Sequence, residues 1–209
     1  MLDPRPWAPE QAAGLAAWAV QPPLRIVAVA RPQPQAQDDP GAALLVQHLR
    51  AGCAALGLQC ADVVGAPSVW DDVPAGDVWL WCAPTDLLLR WWPLDEGHPL
   101  VPLLAQPSAI VAAYRAVKQL HAAQLQPVVV AVAARVGEEA PLHAACQALQ
   151  RTCERHLGWV PGVWVLGYHD GSAPLQGLPG NLDVVTRALE AAWTLDMRRS
   201  PQGEAKRPC

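Results

Sequence analysis

The chain has 209 residues, 52% of them apolar and 16% charged, with a formal net charge of -4. That length suits one α/β domain with a real core, and the apolar share excludes a disordered chain. The acidic balance argues against a general nucleic-acid binder, and no apolar run approaches the ~20 residues of a membrane span.

The opening stretch, Met1 to Glu10, has neither the basic n-region nor the apolar h-region of a signal peptide, so a cytoplasmic location is expected. Residues 9–19 predict a short helix ending at Gln21-Pro22-Pro23, which sets an N-terminal segment (1–22) apart from the domain proper (23–197). Leu24 to Ala30 is an apolar, β-branched run, short enough for a buried parallel strand. From Pro40 onward Leu44, Leu45, His48, Leu49, Ala51, Gly52 and Leu56 fall near 3.6 spacing and predict a helix over 41–56. Strands follow at 59–64, at Asp77 to Cys82 and at Leu100 to Ala105. Ser108, behind Pro107, reads as the N-cap of a helix over 108–123. Gln126 to Ala133 is the clearest buried strand, and the helix over 139–157 stops at Gly158, a natural C′ residue. A last strand at 163–168, a last helix over 181–197 and a frayed polar tail (198–209) complete the order. Repeated β–α–β order with short connections implies a mostly parallel sheet with helices on both faces.

Between the first strand and its helix lies Arg31-Pro-Gln-Pro-Gln-Ala-Gln-Asp-Asp-Pro40. A P-loop protein places a glycine-rich turn and a lysine here, because converging backbone N–H groups and a cation are needed to hold a polyphosphate. The prolines lack that N–H, Asp38 and Asp39 repel phosphate, and the only lysines, Lys118 and Lys206, stand elsewhere. The sequence therefore reads as a P-loop NTPase-like scaffold without the P-loop, and neither nucleotide nor any other cofactor is expected.

Two stretches carry a family resemblance. Pro9-Glu-Gln-Ala-Ala-Gly-Leu15, just ahead of Leu24 to Ala30, is similar to the "DQAxxLR" element that precedes the first strand of FlhG/FleN flagellar-number regulators, members of the MinD/ParA class. Pro107-Ser-Ala-Ile-Val-Ala-Ala-Tyr-Arg-Ala-Val-Lys-Gln-Leu120, then Val128 to Ala133, Cys146 to Gly158 and Val165-Leu-Gly-Tyr168, resemble that family's "P-T-x-x-x-D-A-Y-x-x-I-K-x-L", strand, long helix and "L-G-x-I-P" order. Together they cover about half the chain. The departures fall on nucleotide chemistry. The family's "G-K-G-G-V-G-K-T" has no counterpart in residues 31–40, its Walker B acid falls near Trp81-Cys82-Ala83, and its base-reading Asn falls near Ala133 or Ala134. The resemblance thus implies a pseudo-ATPase without ATP-driven dimerisation and, since no amphipathic helix follows 181–197, without stable membrane insertion.

In that family the N-terminal element binds and stimulates FlhF, a GTPase of the signal-recognition-particle type. The resemblance implies a docking segment here, with Gln11, Ala12 and Leu15 matching, Glu10 in place of Asp and Ala16 in place of Arg. Leu15 and Trp18 share one stripe of the short helix and fit a partner groove. Recruitment to the cell pole through such a partner is implied as well. A degenerate MinD/ParA relative serving cell division or partitioning is the alternative binding protein, and an atypical NTPase is the alternative enzyme.

Arg90-Trp-Trp-Pro-Leu-Asp-Glu-Gly-His98 reads as a loop with the composition of an interface hot spot, which makes Trp91 and Trp92 candidate partner contacts. Equally, both indoles would serve as a roof of the core over the vacant nucleotide pocket. His143, Cys146, Cys153 and His156 lie on one helix, but the two pairs are about 15 Å apart along it, too far for one tetrahedral Zn²⁺. Tyr168-His169-Asp170-Gly171 reads as turn chemistry after the last strand, and His48, Cys60 and Cys209 carry no readable signal.

Overall fold

The computed structural model describes residues 23–32, 39–72, 76–94, 96–171, 175 and 178–195. The expected helix over 9–19, with the docking residues Glu10, Gln11, Ala12, Leu15 and Trp18, lies outside them, as do Asp38 and the tail from Arg198. Within them the chain runs β1 (Leu24–Arg31), α1 (Pro40–Ala55), β2 (Cys60–Val63), a 3₁₀ turn (Pro67–Asp72), β3 (Val78–Pro84) and α2 (Thr85–Trp91). It continues with β4 (Leu100–Leu103), α3 (Pro107–Ala122), β5 (Val128–Val132), α4 (Glu139–Leu157), β6 (Val163–Leu166), α5 (Pro179–Glu190) and β7 (Trp193–Leu195). The strands form one sheet in the order β2-β3-β1-β4-β5-β6, all parallel, with β7 added antiparallel to β1. This is the expected α/β class with helices on both faces, consistent with a P-loop NTPase-like scaffold.

Strand alternation decides which helix covers which face. Ile26, Ala28 and Ala30 of β1, with Trp79, Trp81 and Ala83 of β3, face a core closed by α2, α3 and α4. Val27 and Val29, with Val78 and Leu80, face a second core closed by α1 and α5. On the first face large and small residues stand side by side: Trp81 pairs with Ala28, so one indole fills the room its alanine neighbour leaves. The tryptophans then form a chain across this face. Trp70 meets Trp79 and Trp81 edge-on at 5.7 and 5.1 Å, Trp81 stacks on Trp92 at 6.3 Å, and Trp92 meets Trp193 at 5.8 Å. Each such contact adds about 1 kcal/mol to the burial of its rings.

Four expectations need correction. The last helix ends at Glu190, not at 197, and Trp193–Leu195 is a strand. The reason lies in the sheet: β4 meets β1 only at Val29, which leaves the Leu24–Ile26 edge open, and β7 pairs with that edge. Residues 85–91 are helical, so Arg90 and Trp91 belong to α2, with Asp86 in its first turn and Arg90 in its last to complement the dipole. Ser108 does not cap α3. Gln106 is the cap residue and Pro107 takes the first helical position, where its fixed φ fits and its missing N–H costs nothing. Finally, Trp92 does not roof the carboxyl end of β1, the expected place of the vacant pocket. It touches Trp193, which pairs with Ile26 near the amino end of β1, so it closes the opposite end of the sheet.

Candidate functional site at the carboxyl edge of the sheet

In this strand order the chain leaves β1 toward one edge and β4 toward the other, so the loops beyond β1 and β4 diverge. Ligands of open α/β sheets bind in the crevice such a divergence creates. An open depression of about 450 Å³ lies there, lined by Pro32, Pro107, Ser108, Val111, Ala112 and Arg115.

Asp39 dominates the neighbouring entry to α1. Its backbone is extended, and its Oδ1 accepts from the Gly41 and Ala42 N–H groups at 3.0 and 3.1 Å. Pro40, the residue between, has no N–H to offer. The N–H groups that would face an anion at this helix start are therefore taken up by the protein's own carboxylate. Gly41 also lies close against its neighbours, since a Cβ there would be 3.3 Å from both Asp39 Oδ1 and Pro102 Cβ.

At the expected acid position β3 carries Cys82, opposite Val29 of β1 and partly exposed. Burial pushes its thiol up, Arg31 draws it partly back, and Asp39 raises it further. A neutral thiol between an arginine and a carboxylate is a poor ligand for Mg²⁺, which takes oxygen donors. Arg31 Nε is buried and makes no hydrogen bond among the described residues. At the expected base-reading position, near Ala133 or Ala134, Ala133 is buried and has no side-chain polar atom. The loop beyond it is closed by Glu138, whose Oε2 accepts from Ala134 N–H at 2.7 Å and Arg135 N–H at 3.2 Å.

A buried polar group beyond β6 was not foreseen. Asn181 of α5, 4% exposed, accepts from Gly167 N–H at 2.8 Å and donates to Gly167 O at 3.0 Å. His48 of α1, fully buried, hydrogen-bonds through Nδ1 to Leu44 O at 2.8 Å, and its Nε2 lies 3.2 Å from Gly167 O. His169 is buried too, its ring centroid 5.6 Å from that of His48, and its Nδ1 accepts from Gly171 N–H. These groups tie α1, α5 and the end of β6 together. In the sequence His48 looked like one more helix residue, and Asn181 gave no signal of burial.

Of the remaining candidates, Trp92 is 1% exposed and belongs to the core, whereas Trp91 is partly exposed with the Arg90 guanidinium 5.7 Å from its ring. The docking residues of the N-terminal segment are not brought into relation with either, since they lie outside the described residues. Cys146 and Cys153 point into the core and His143 and His156 are exposed. Among the described residues no three His, Cys, Asp or Glu side chains converge on a metal position, and no helix is long and apolar enough to cross a membrane. No protein-family model matches the chain, and no curated protein matches it.

Proposed function

We propose that the protein is a nucleotide-independent regulator of the FlhG type, working by binding other proteins of flagellar assembly and not by catalysis. The observation that carries the first half is the closure of α1 by Asp39, which occupies the backbone donors a triphosphate would need. Cys82 in place of a carboxylate and Glu138 across the β5 loop point the same way. The second half rests on the resemblance of the segment around Glu10, Gln11, Ala12, Leu15 and Trp18 to the family's docking element. Its partner would be an FlhF-type GTPase, met in the cytoplasm and drawing the protein to the cell pole. Full-length protein should retain an FlhF-type GTPase in a pull-down, and a version beginning at Pro22 should lose it. Equal capture by both, or by neither, would remove the docking segment from the account. The alternative relative serving cell division or partitioning predicts capture of a different partner by the same full-length bait.

A further inference from the structure

We propose that Cys53 and Cys60 form a peroxide-sensitive dithiol that closes to a disulfide between α1 and the edge strand β2. Cys53 sits in the last turn of α1 and is fully buried, while Cys60 opens β2 and is partly exposed. The chain reverses tightly between them. Gly57 takes φ +74°, and Leu58 N–H returns to Cys53 O at 2.8 Å. This reversal sets the two cysteines on adjoining elements against one core, and each thiol acts on the ionisation of the other. Cys53 belongs to the core between the sheet and the α1 and α5 helices, and Cys60 packs against that core from the edge strand.

Their surroundings divide the labour. Cys60 is the one solvent reaches, and the neighbouring Cys53 thiol holds its pKa below the ordinary range, with Arg50 adding to the effect against burial and Asp77. Arg50 is kept nearby by its ion pair with Asp62, two residues beyond Cys60 on the same face of β2. Cys53 is held as the neutral thiol by its Cys60 neighbour and by burial. A solvent-reached thiol beside a cation, next to a buried thiol on the adjoining helix, is the arrangement of an attacking and a resolving cysteine.

The chemistry balances with hydrogen peroxide as the oxidant. The Cys60 thiolate attacks one peroxide oxygen, the O–O bond breaks, and hydroxide leaves to take up a proton as water. Cys60 is then a sulfenic acid. Cys53 sulfur attacks Cys60 sulfur, an S–S bond forms, the S–O bond breaks, and the departing hydroxyl carries off the Cys53 proton as a second water. Two thiols are oxidised and one peroxide is reduced.

Full-length reduced protein treated with hydrogen peroxide, alkylated and mapped by mass spectrometry tests this directly. The expected product is a peptide spanning Cys53 and Cys60, lighter by two hydrogens and formed before any other oxidation. Before oxidation, Cys60 should alkylate about tenfold faster than Cys82 at neutral pH. In Cys53→Ala the product should change to a sulfenic acid on Cys60 that dimedone traps. If that variant does not fold, the wild-type map alone decides. Pairing of Cys60 with another cysteine such as Cys209, or oxidation of Cys60 no faster than that of Cys82, would overturn the proposal.

Discussion

Asp39 shows how a single side chain closes a helix start. The carboxylate stands where the first-turn N–H groups of α1 converge, so it both caps the helix and occupies an anion position. Asp39→Ala should lower stability by about 1 kcal/mol in urea unfolding, and Asp39→Ser should recover most of that. A loss confined to Ala would show that the cap matters, whereas equal values for both variants would deny it. Cys153 offers a test through pH. Burial pushes its thiol from the ordinary 9.0 up to about 11, so between these pH values the unfolded chain binds fewer protons than the native one. Stability must then fall as pH rises, being fully present below the lower value and lost through the upper one. The loss from this group is about 3 kcal/mol, and Cys153→Ala should flatten that part of the alkaline unfolding curve. An unchanged slope would place the titration elsewhere. In the sequence, Asp39 was visible as a phosphate-repelling charge, but its role as a cap depends on backbone geometry that composition does not carry.

At the scale of elements, the packing of α1 on α5 hinges on Gly52. A Cβ there would lie 2.5 and 2.6 Å from the two Val185 methyl groups, far inside van der Waals contact. In an exposed helix Gly→Ala is worth up to about 1 kcal/mol of stabilisation. Here overpacking should reverse the sign and cost about 1–3 kcal/mol. Gly52→Ala combined with Val185→Ala should recover part of the loss, since the nearer methyl groups are then gone. Additive effects of the two substitutions would mean that the helices do not touch at this point. Strong periodicity made α1, α4 and β5 legible within one or two residues, because each buries one face or both. The errors fell where tertiary context decides. Trp193–Leu195 is too short to declare itself, and it becomes a strand only because β4 leaves half of β1 open. Gly97 supports this corner: its φ is +67° and a Cβ would lie 2.6 Å from Ala191 O, while the neighbouring His98 N–H donates to that same oxygen at 2.7 Å.

For the molecule as a whole, the layered α/β order follows from alternation along β1, β3 and β5, which assigns each helix to one of two cores. The class was therefore legible from residue pattern alone. The site was legible only in part. The proline-rich stretch 31–40 after β1 and the cysteine at position 82 can be read along the chain. The Asn181–Gly167–His48 group could not be read, because its members are far apart in sequence and meet only through the fold. The proposed independence from nucleotide rests on the self-capped α1 and the thiol at Cys82. Isothermal calorimetry of the full-length protein with Mg²⁺-ATP tests this most directly. The account expects no heat of binding at micromolar nucleotide, with Asp39→Ala no different. Saturable micromolar binding by the wild-type protein would contradict it.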